Sequence, residues 1–246
     1  MLKKKYMSAM FIALSLNAPA IASAQGRFAV SGSGMWTMGK SAQGLGEATG
    51  RVCYLQYITG RLSSGQALAG TTVRNGSWYL TGDAAPPDGD FSAGAYCINP
   101  GTNFGTVDGG WHQGQPDVAL GATGDRVCFL YAVGGKFEGS GESVYVRPSG
   151  GMWYLGGTSK QRGVTARALC IVRPGINYGP IQNWRQGMGR INLSNQANVA
   201  CFLTGLSGKF AGGGEQIFVD VDNGRWTLGG SSSQQGVSAS AVCALF

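Results

Sequence analysis

Six cysteines, one histidine and three glutamates are the residues whose types and spacing could do chemistry in this chain. Cys53, Cys128 and Cys201 recur at intervals of 75 and 73 residues, and Cys97, Cys170 and Cys243 at 73 and 73. An even count at such spacing, with His112 as the single histidine, points to disulfides rather than to a zinc site. The spacing leaves two symmetric schemes, pairing within each repeat as Cys53 with Cys97, or between successive repeats as Cys97 with Cys128. Loops of 44 and 31 residues give about 4.0 and 3.7 kcal/mol in the chain-closure model, so loop entropy does not choose between them. Pairing within the repeat is the expectation, because the other scheme must also join Cys243 to Cys53.

Acid–base chemistry finds less support. Hydrolysis by Ser, His and Asp would need His112, which stands where the sister repeats carry Thr37 and Arg185. A solvated residue beside a packed tryptophan is the expected role. Glycoside cleavage needs two facing carboxylates, and Glu138, Glu142 and Glu215 are the candidates. Glu142 and Glu215 are equivalent copies whose counterpart is Ala67, so a structural ion pair with Lys136 or Lys209 is expected instead. "GGGE" at residues 212–215 reads as a turn, and with no helix to open there is no phosphate cradle. The chain is therefore expected to be no enzyme, with no catalytic residue, metal ligand or cofactor assigned.

The tryptophans keep the cysteine register. Trp36, Trp111 and Trp184 each stand 17 residues before the first cysteine of a repeat, and Trp78, Trp153 and Trp226 each stand 25 after it. Self-similarity at a fixed period is the mark of a repeat architecture. Each repeat also splits in two, giving six half-modules that run from tryptophan to cysteine. Five of the six place glycine three residues after tryptophan, at Gly39, Gly114, Gly156, Gly187 and Gly229, which predicts a positive φ or a close backbone approach. The copy starting at Trp78 departs from the pattern and contains "DAAPPDGD" at residues 83–90.

Two-residue alternation supplies the elements that must hold these residues. "ESVYVRP" and "EQIFVDVD" read as half-buried strands, and "SGGMW" and "DNGRW" as hairpin turns. No segment keeps a helical period, so the fold class is all-β. The joins from Cys97 to Trp111 and from Cys170 to Trp184 are both 14 residues, too short for flexible linkers. A closed or quasi-closed pseudo-three-fold propeller-like or prism-like assembly with disulfides is expected, with repeats at 25–99, 100–172 and 173–246. The last strand, ending at Phe246, is expected to pair with the strand near Phe28 and Val30 and so leave no raw edge. A trefoil, three separate lobes and an outer-membrane barrel fit less well.

Residues 1–24 carry Lys3, Lys4 and Lys5, an apolar stretch and Ala22-Ser23-Ala24, which reads as a secretory signal peptide. The protein is thus expected to be secreted or periplasmic. Without those lysines, 16 basic and 12 acidic residues leave a charge of +4, and the basic residues are scattered rather than blocked. Nucleic-acid binding is not expected, and no segment is apolar enough to span a membrane as a helix.

Binding remains as the function class. Trp78, Trp153 and Trp226 have apolar neighbours and are expected in the core. Trp111 precedes His112-Gln113 and Trp184 precedes Arg185-Gln186, so Trp36, Trp111 and Trp184, with Asn103, Phe104, Asn177, Tyr178 and Arg185, are the candidate ligand-binding residues; the alternative is that all six tryptophans are core, as a residue present in every module would be. Exposed indole and phenol faces pack against sugar rings, and repeated sites add avidity. The basic residues Arg61, Lys136 and Lys209, each beside Leu62, Phe137 or Phe210, are either stems packed over the apolar neighbour or contacts to an anionic glycan. In general style the chain resembles the tryptophan- and glycine-rich repeat lectins and adhesive surface proteins of bacteria, without a family motif that carries over any residue's role. A glycan or other cell-surface ligand is the expected partner, with a homo-oligomer left open. A structural or assembly component and a periplasmic enzyme inhibitor are the alternatives.

Overall fold

A computed structural model describes residues 30–84 and 90–246, leaving the expected signal segment 1–24, Phe28 and the centre of "DAAPPDGD" outside the described residues. The first repeat forms β1 (Val30–Thr37), β2 (Gln43–Glu47), β3 (Val52–Thr59), β4 (Leu68–Arg74), β5 (Ser77–Asp83) and β6 (Ser92–Ile98). The second forms β7 (Gly105–His112), β8 (Val118–Ala122), β9 (Arg126–Gly134), β10 (Ser143–Ser149), β11 (Met152–Thr158) and β12 (Thr165–Val172). The third forms β13 (Asn177–Tyr178), β14 (Gln182–Arg185), β15 (Ile191–Ser194), β16 (Val199–Ser207), β17 (Gln216–Asp222), β18 (Arg225–Ser231) and β19 (Ser238–Leu245). One 3-10 turn at Thr123–Asp125 is the only helical element among the described residues, so the chain is all-β.

The strands divide among three sheets, and every sheet mixes two repeats. Sheet I runs β1-β6-β3-β17-β18-β15, joining the first repeat to the third. Sheet II runs β2-β5-β4-β9-β12-β7, joining the first to the second. Sheet III runs β13-β19-β16-β10-β11-β8, with β14 also on β19, joining the second to the third. Each join is a short antiparallel pairing of three residues, ending at Phe218 with Tyr57, Gly70 with Ala132 and Tyr145 with Gly205. Among the described residues no sheet closes on itself: sheets I and II each keep two edge strands, and sheet III keeps β8 on one edge and β13 and β14 on the other. Consecutive edge strands pack at the corners, where a Cβ on Gly34 would meet Leu45, 2.5 Å away, and one on Gly109 would meet Leu120, also at 2.5 Å.

Local sequence accounts for these elements. In β10 Val144 and Val146 are buried between half-exposed or exposed neighbours, and in β17 Ile217 and Val219 alternate likewise. Asn223-Gly224 turns with φ of 49° and 74°, two positive values in succession, as a type I′ hairpin demands. The cysteine strands β9 and β16 do not alternate, being buried on both faces. They occupy the centre of the molecule, where the residues following the cysteines meet. The Tyr54 ring lies 5.4 Å from Phe129 and 4.6 Å from Phe202, and Phe129 stacks on Phe202 at 4.3 Å.

A second tier of contacts links the repeats in a cycle. The Leu62 N–H donates to the Phe210 carbonyl at 2.8 Å, Phe210 donates to Phe137 at 2.7 Å, and Phe137 donates to Leu62 at 2.8 Å. These three residues are fully buried, so each bond satisfies backbone groups that water cannot reach. Beside them Gly60 donates to Glu215, Gly135 to Ala67 and Gly208 to Glu142.

The disulfides are Cys53–Cys97, Cys128–Cys170 and Cys201–Cys243, all within a repeat. Each joins directly opposed residues on neighbouring strands. The expected pairing of the last strand with the first is corrected: β19 lies between β16 and the β13 and β14 strands, while β1 pairs with β6. The Phe246 N–H instead donates to Asn198. Neither terminus has to close the molecule, because the β3–β17 join already links the first and third repeats.

Candidate functional site

All six tryptophans are buried, with Trp78 the most exposed at 8%. The expectation that Trp36, Trp111 and Trp184 line a groove is therefore corrected. Their polar neighbours misled because successive residues of a strand face opposite ways: His112 and Arg185 are exposed while Trp111 and Trp184 point inward. The indoles wedge between two sheets of their own repeat. Cβ atoms on Gly82, Gly157 and Gly230 would meet the rings of Trp36, Trp111 and Trp184 at 2.5, 2.6 and 2.6 Å. Each indole N–H of this set donates to the carbonyl four residues on, at Lys40, Gln115 and Met188. Those of Trp78, Trp153 and Trp226 donate to Arg51, Arg126 and Val199.

The other sequence candidates do not converge on one site. Asn103 is exposed with a φ of 64°, and Phe104 packs against the core. Asn177 and Tyr178 line a pocket of about 320 Å³ with Leu193 and Gln196, and the Tyr178 ring sits 5.1 Å from Trp153. Arg185 is exposed on β14. The carboxylates do not form the expected ion pairs either. Glu138 takes Lys136 at 2.8 Å, whereas Glu215 turns back to accept the Gly212 N–H at 2.7 Å. Glu142, 4% exposed, keeps an Oε2 without a hydrogen-bond partner among the described residues.

The surface feature that stands out lies on sheet II, where β4 and β9 part after their short pairing. It is a groove of about 500 Å³ between Thr72, Val73 and Arg74 on one wall and Tyr131, Asp108 and Arg167 on the other, with Gly70 and Ala132 at the join and Thr81 and Thr106 also lining it. On sheet III a smaller pocket of about 160 Å³ lies along the β10–β16 join itself, lined by Ser143, Tyr145, Gly205 and Ser240 among others. One cross-strand pair sets sheet II apart from the other two. On sheet III Tyr145 faces Gly156 and on sheet I Phe218 faces Gly229, and a Cβ on either glycine would meet the ring at 2.8 or 2.7 Å. On sheet II the pair is inverted to Gly70 facing Thr81. The ring that would fill the opening is missing, and glycine is required there because a Cβ would meet the Ala132 Cα and the Tyr131 carbonyl at 2.9 Å.

The glycine three residues after tryptophan thus has two uses. Gly39, Gly114 and Gly187 take φ of 78°, 86° and 84° in turns, while Gly156 and Gly229 make room for an aromatic ring. Thr81 is the exception that marks the groove, and sequence reading recorded the exception without drawing that consequence. Tyr131, Asp108, Arg167, Arg74 and Gly70 were not anticipated at all. The signal available for Gly70 was its place in the repeat, where the other copies carry Tyr145 and Phe218.

Electrostatics hold the groove wall. Arg167 donates to Asp108 at 2.9 Å and lies 5.4 Å from the centre of the Tyr131 ring, and the Tyr131 hydroxyl reaches Asp108 at 3.3 Å. Burial, opposed by Arg167 and aided by Asp108, pushes the Tyr131 phenol up to about 12. Burial also raises Tyr54, whose hydroxyl has no hydrogen-bond partner among the described residues. Below pH 10 both phenols are protonated in folded and unfolded chains alike, and this contribution to stability is complete. Between about 10 and 12 the unfolded chain loses the Tyr131 proton that the folded chain keeps, so stability falls as pH rises. Alkaline titration followed by phenolate absorbance and circular dichroism should show loss of fold setting in above pH 10, with Tyr54 ionising only as the fold is lost.

No protein-family model matches the chain, and no curated protein matches it in sequence. Among the described residues no helix is long and apolar enough to cross a membrane, and no group of His, Cys, Asp and Glu could hold a metal ion.

Proposed function

We propose that the chain is an exported, non-enzymatic β-repeat protein that binds a carbohydrate of a cell surface through the sheet II groove. The inverted Gly70 and Thr81 pair carries this reading, because it leaves the groove without the ring that Tyr145 and Phe218 set against a glycine on the sister sheets. The opening combines an apolar wall, with Val73 47% and Leu68 39% exposed, with threonine hydroxyls and charged groups. Small-ligand sites commonly combine apolar lining with a few placed polar groups. Three disulfides and the leader-like residues 1–24 support export.

The scaffold reading that goes with it is a pseudo-three-fold prism of three units, 25–99, 100–172 and 173–246, each dividing its strands between two sheets. The cycle of hydrogen bonds through Leu62, Phe137 and Phe210 supports it. In this reading the frame is repeated and the site is single, since the ring positions of sheets I and III are occupied.

A glycan array tests the proposal. The protein should bind a subset of glycans saturably. The variant Gly70→Tyr, Thr81→Gly, Ala132→Gly, which carries into sheet II the set found at Tyr145, Gly156 and Gly205, should keep the circular dichroism of the parent and bind at least about tenfold more weakly, as loss of a few good contacts would require. Silence on the array, together with large assemblies in sedimentation, would favour an assembly component.

A further inference from the structure

The charged groups of the groove are unequal. Arg74 is exposed, lines the groove and has neither an ion pair nor a hydrogen bond among the described residues. Arg167 engages Asp108 through Nη2 alone, and its side chain is 55% exposed. Two guanidinium groups therefore line the opening against the single carboxylate of Asp108. On the other two sheets the arginine nearest the equivalent ring is paired, Arg147 with Asp117 at 3.2 Å and Arg190 with Asp222 at 3.1 Å, while Arg185 and Arg225 are exposed without an ion pair among the described residues. The hydroxyls of Thr72, Thr81 and Thr106 also line the groove and have no side-chain partner among the described residues.

We infer that the groove selects an acidic sugar, whose anionic group is bound by Arg74 and Arg167 while its ring lies along Val73 and the threonine hydroxyls. This rests on the carbohydrate reading above and adds the ligand's charge to it. A guanidinium offers a planar set of donors that fits a carboxylate, sulfate or phosphate, and a charge-assisted bond of this kind is stronger than a neutral one. Placement in a cleft shields the pair from part of the salt screening that weakens exposed ion pairs.

The test uses an array on which oligogalacturonate, sialylated, sulfated and phosphorylated glycans stand beside neutral glycans of equal length. The strongest acidic binder is then titrated calorimetrically against the parent, Arg74→Gln and, as a control on sheet III, Arg147→Gln. The inference expects binding confined to acidic glycans, weakened at least about tenfold by Arg74→Gln and unchanged by Arg147→Gln. Carboxylate, sulfate and phosphate arms identify which acid is read. Binders that are neutral only, or acidic binding indifferent to Arg74→Gln, overturn the inference and leave the carbohydrate reading standing. An array with no binder overturns both.

Discussion

Trp153→Ala is expected to lower the unfolding free energy by about 3–5 kcal/mol, the usual range for emptying a buried indole site. Trp153 is fully buried on β11, donates its indole N–H to the Arg126 carbonyl at 3.1 Å and lies 5.1 Å from the Tyr178 ring of the next repeat. Alanine removes the packing and also strands the carbonyl, and the two losses act together. Urea unfolding followed by circular dichroism would read the change, with Met35→Ala as the control. Met35 is 63% exposed, so its loss should stay within about 0.5 kcal/mol of the parent. Equal costs for the two variants would mean that the indole is not interior.

Removing one bridge is the second large effect. Cys201 and Cys243 are opposed in register on β16 and β19 and close a span of 42 residues. The double variant Cys201→Ala, Cys243→Ala should lose about 2–5 kcal/mol, which for a chain of this size lowers the melting temperature by roughly 5–20 °C. Alanine is preferable to serine because Cys201 is fully buried and a hydroxyl there would need a partner. Calorimetry with and without a reducing agent checks the effect. The parent should fall below the double variant once all three bridges are reduced. A reductant with no effect on the parent would contradict the bridges.

Much of the frame was legible because it is written several times. The cysteine intervals anticipated three bridges within repeats, and alternation in "ESVYVRP" and "EQIFVDVD" anticipated strands with Val144, Val146, Ile217 and Val219 inside. Strand exchange was not legible, since a pairing such as β3 with β17 joins residues more than 150 positions apart and leaves no local mark. The proposed site was missed for a different reason. Repetition draws the eye to residues present in every copy, and Trp36, Trp111 and Trp184 proved to be wedges that hold sheets together. The groove instead follows from a departure from the repeat, Thr81 in place of glycine and Gly70 in place of an aromatic residue. Pairing across strands had to be known before the two departures could be seen as one exchange.

The account's central claim is that ligand enters where that exchange opens sheet II. Backbone amide NMR during titration with the strongest glycan from the array measures this most directly. Shifts concentrated at residues 70–74, Thr81, Tyr131 and Arg167 are the predicted result. Shifts centred on Tyr145 of sheet III or Phe218 of sheet I, or spread equally over all three sheets, would contradict it.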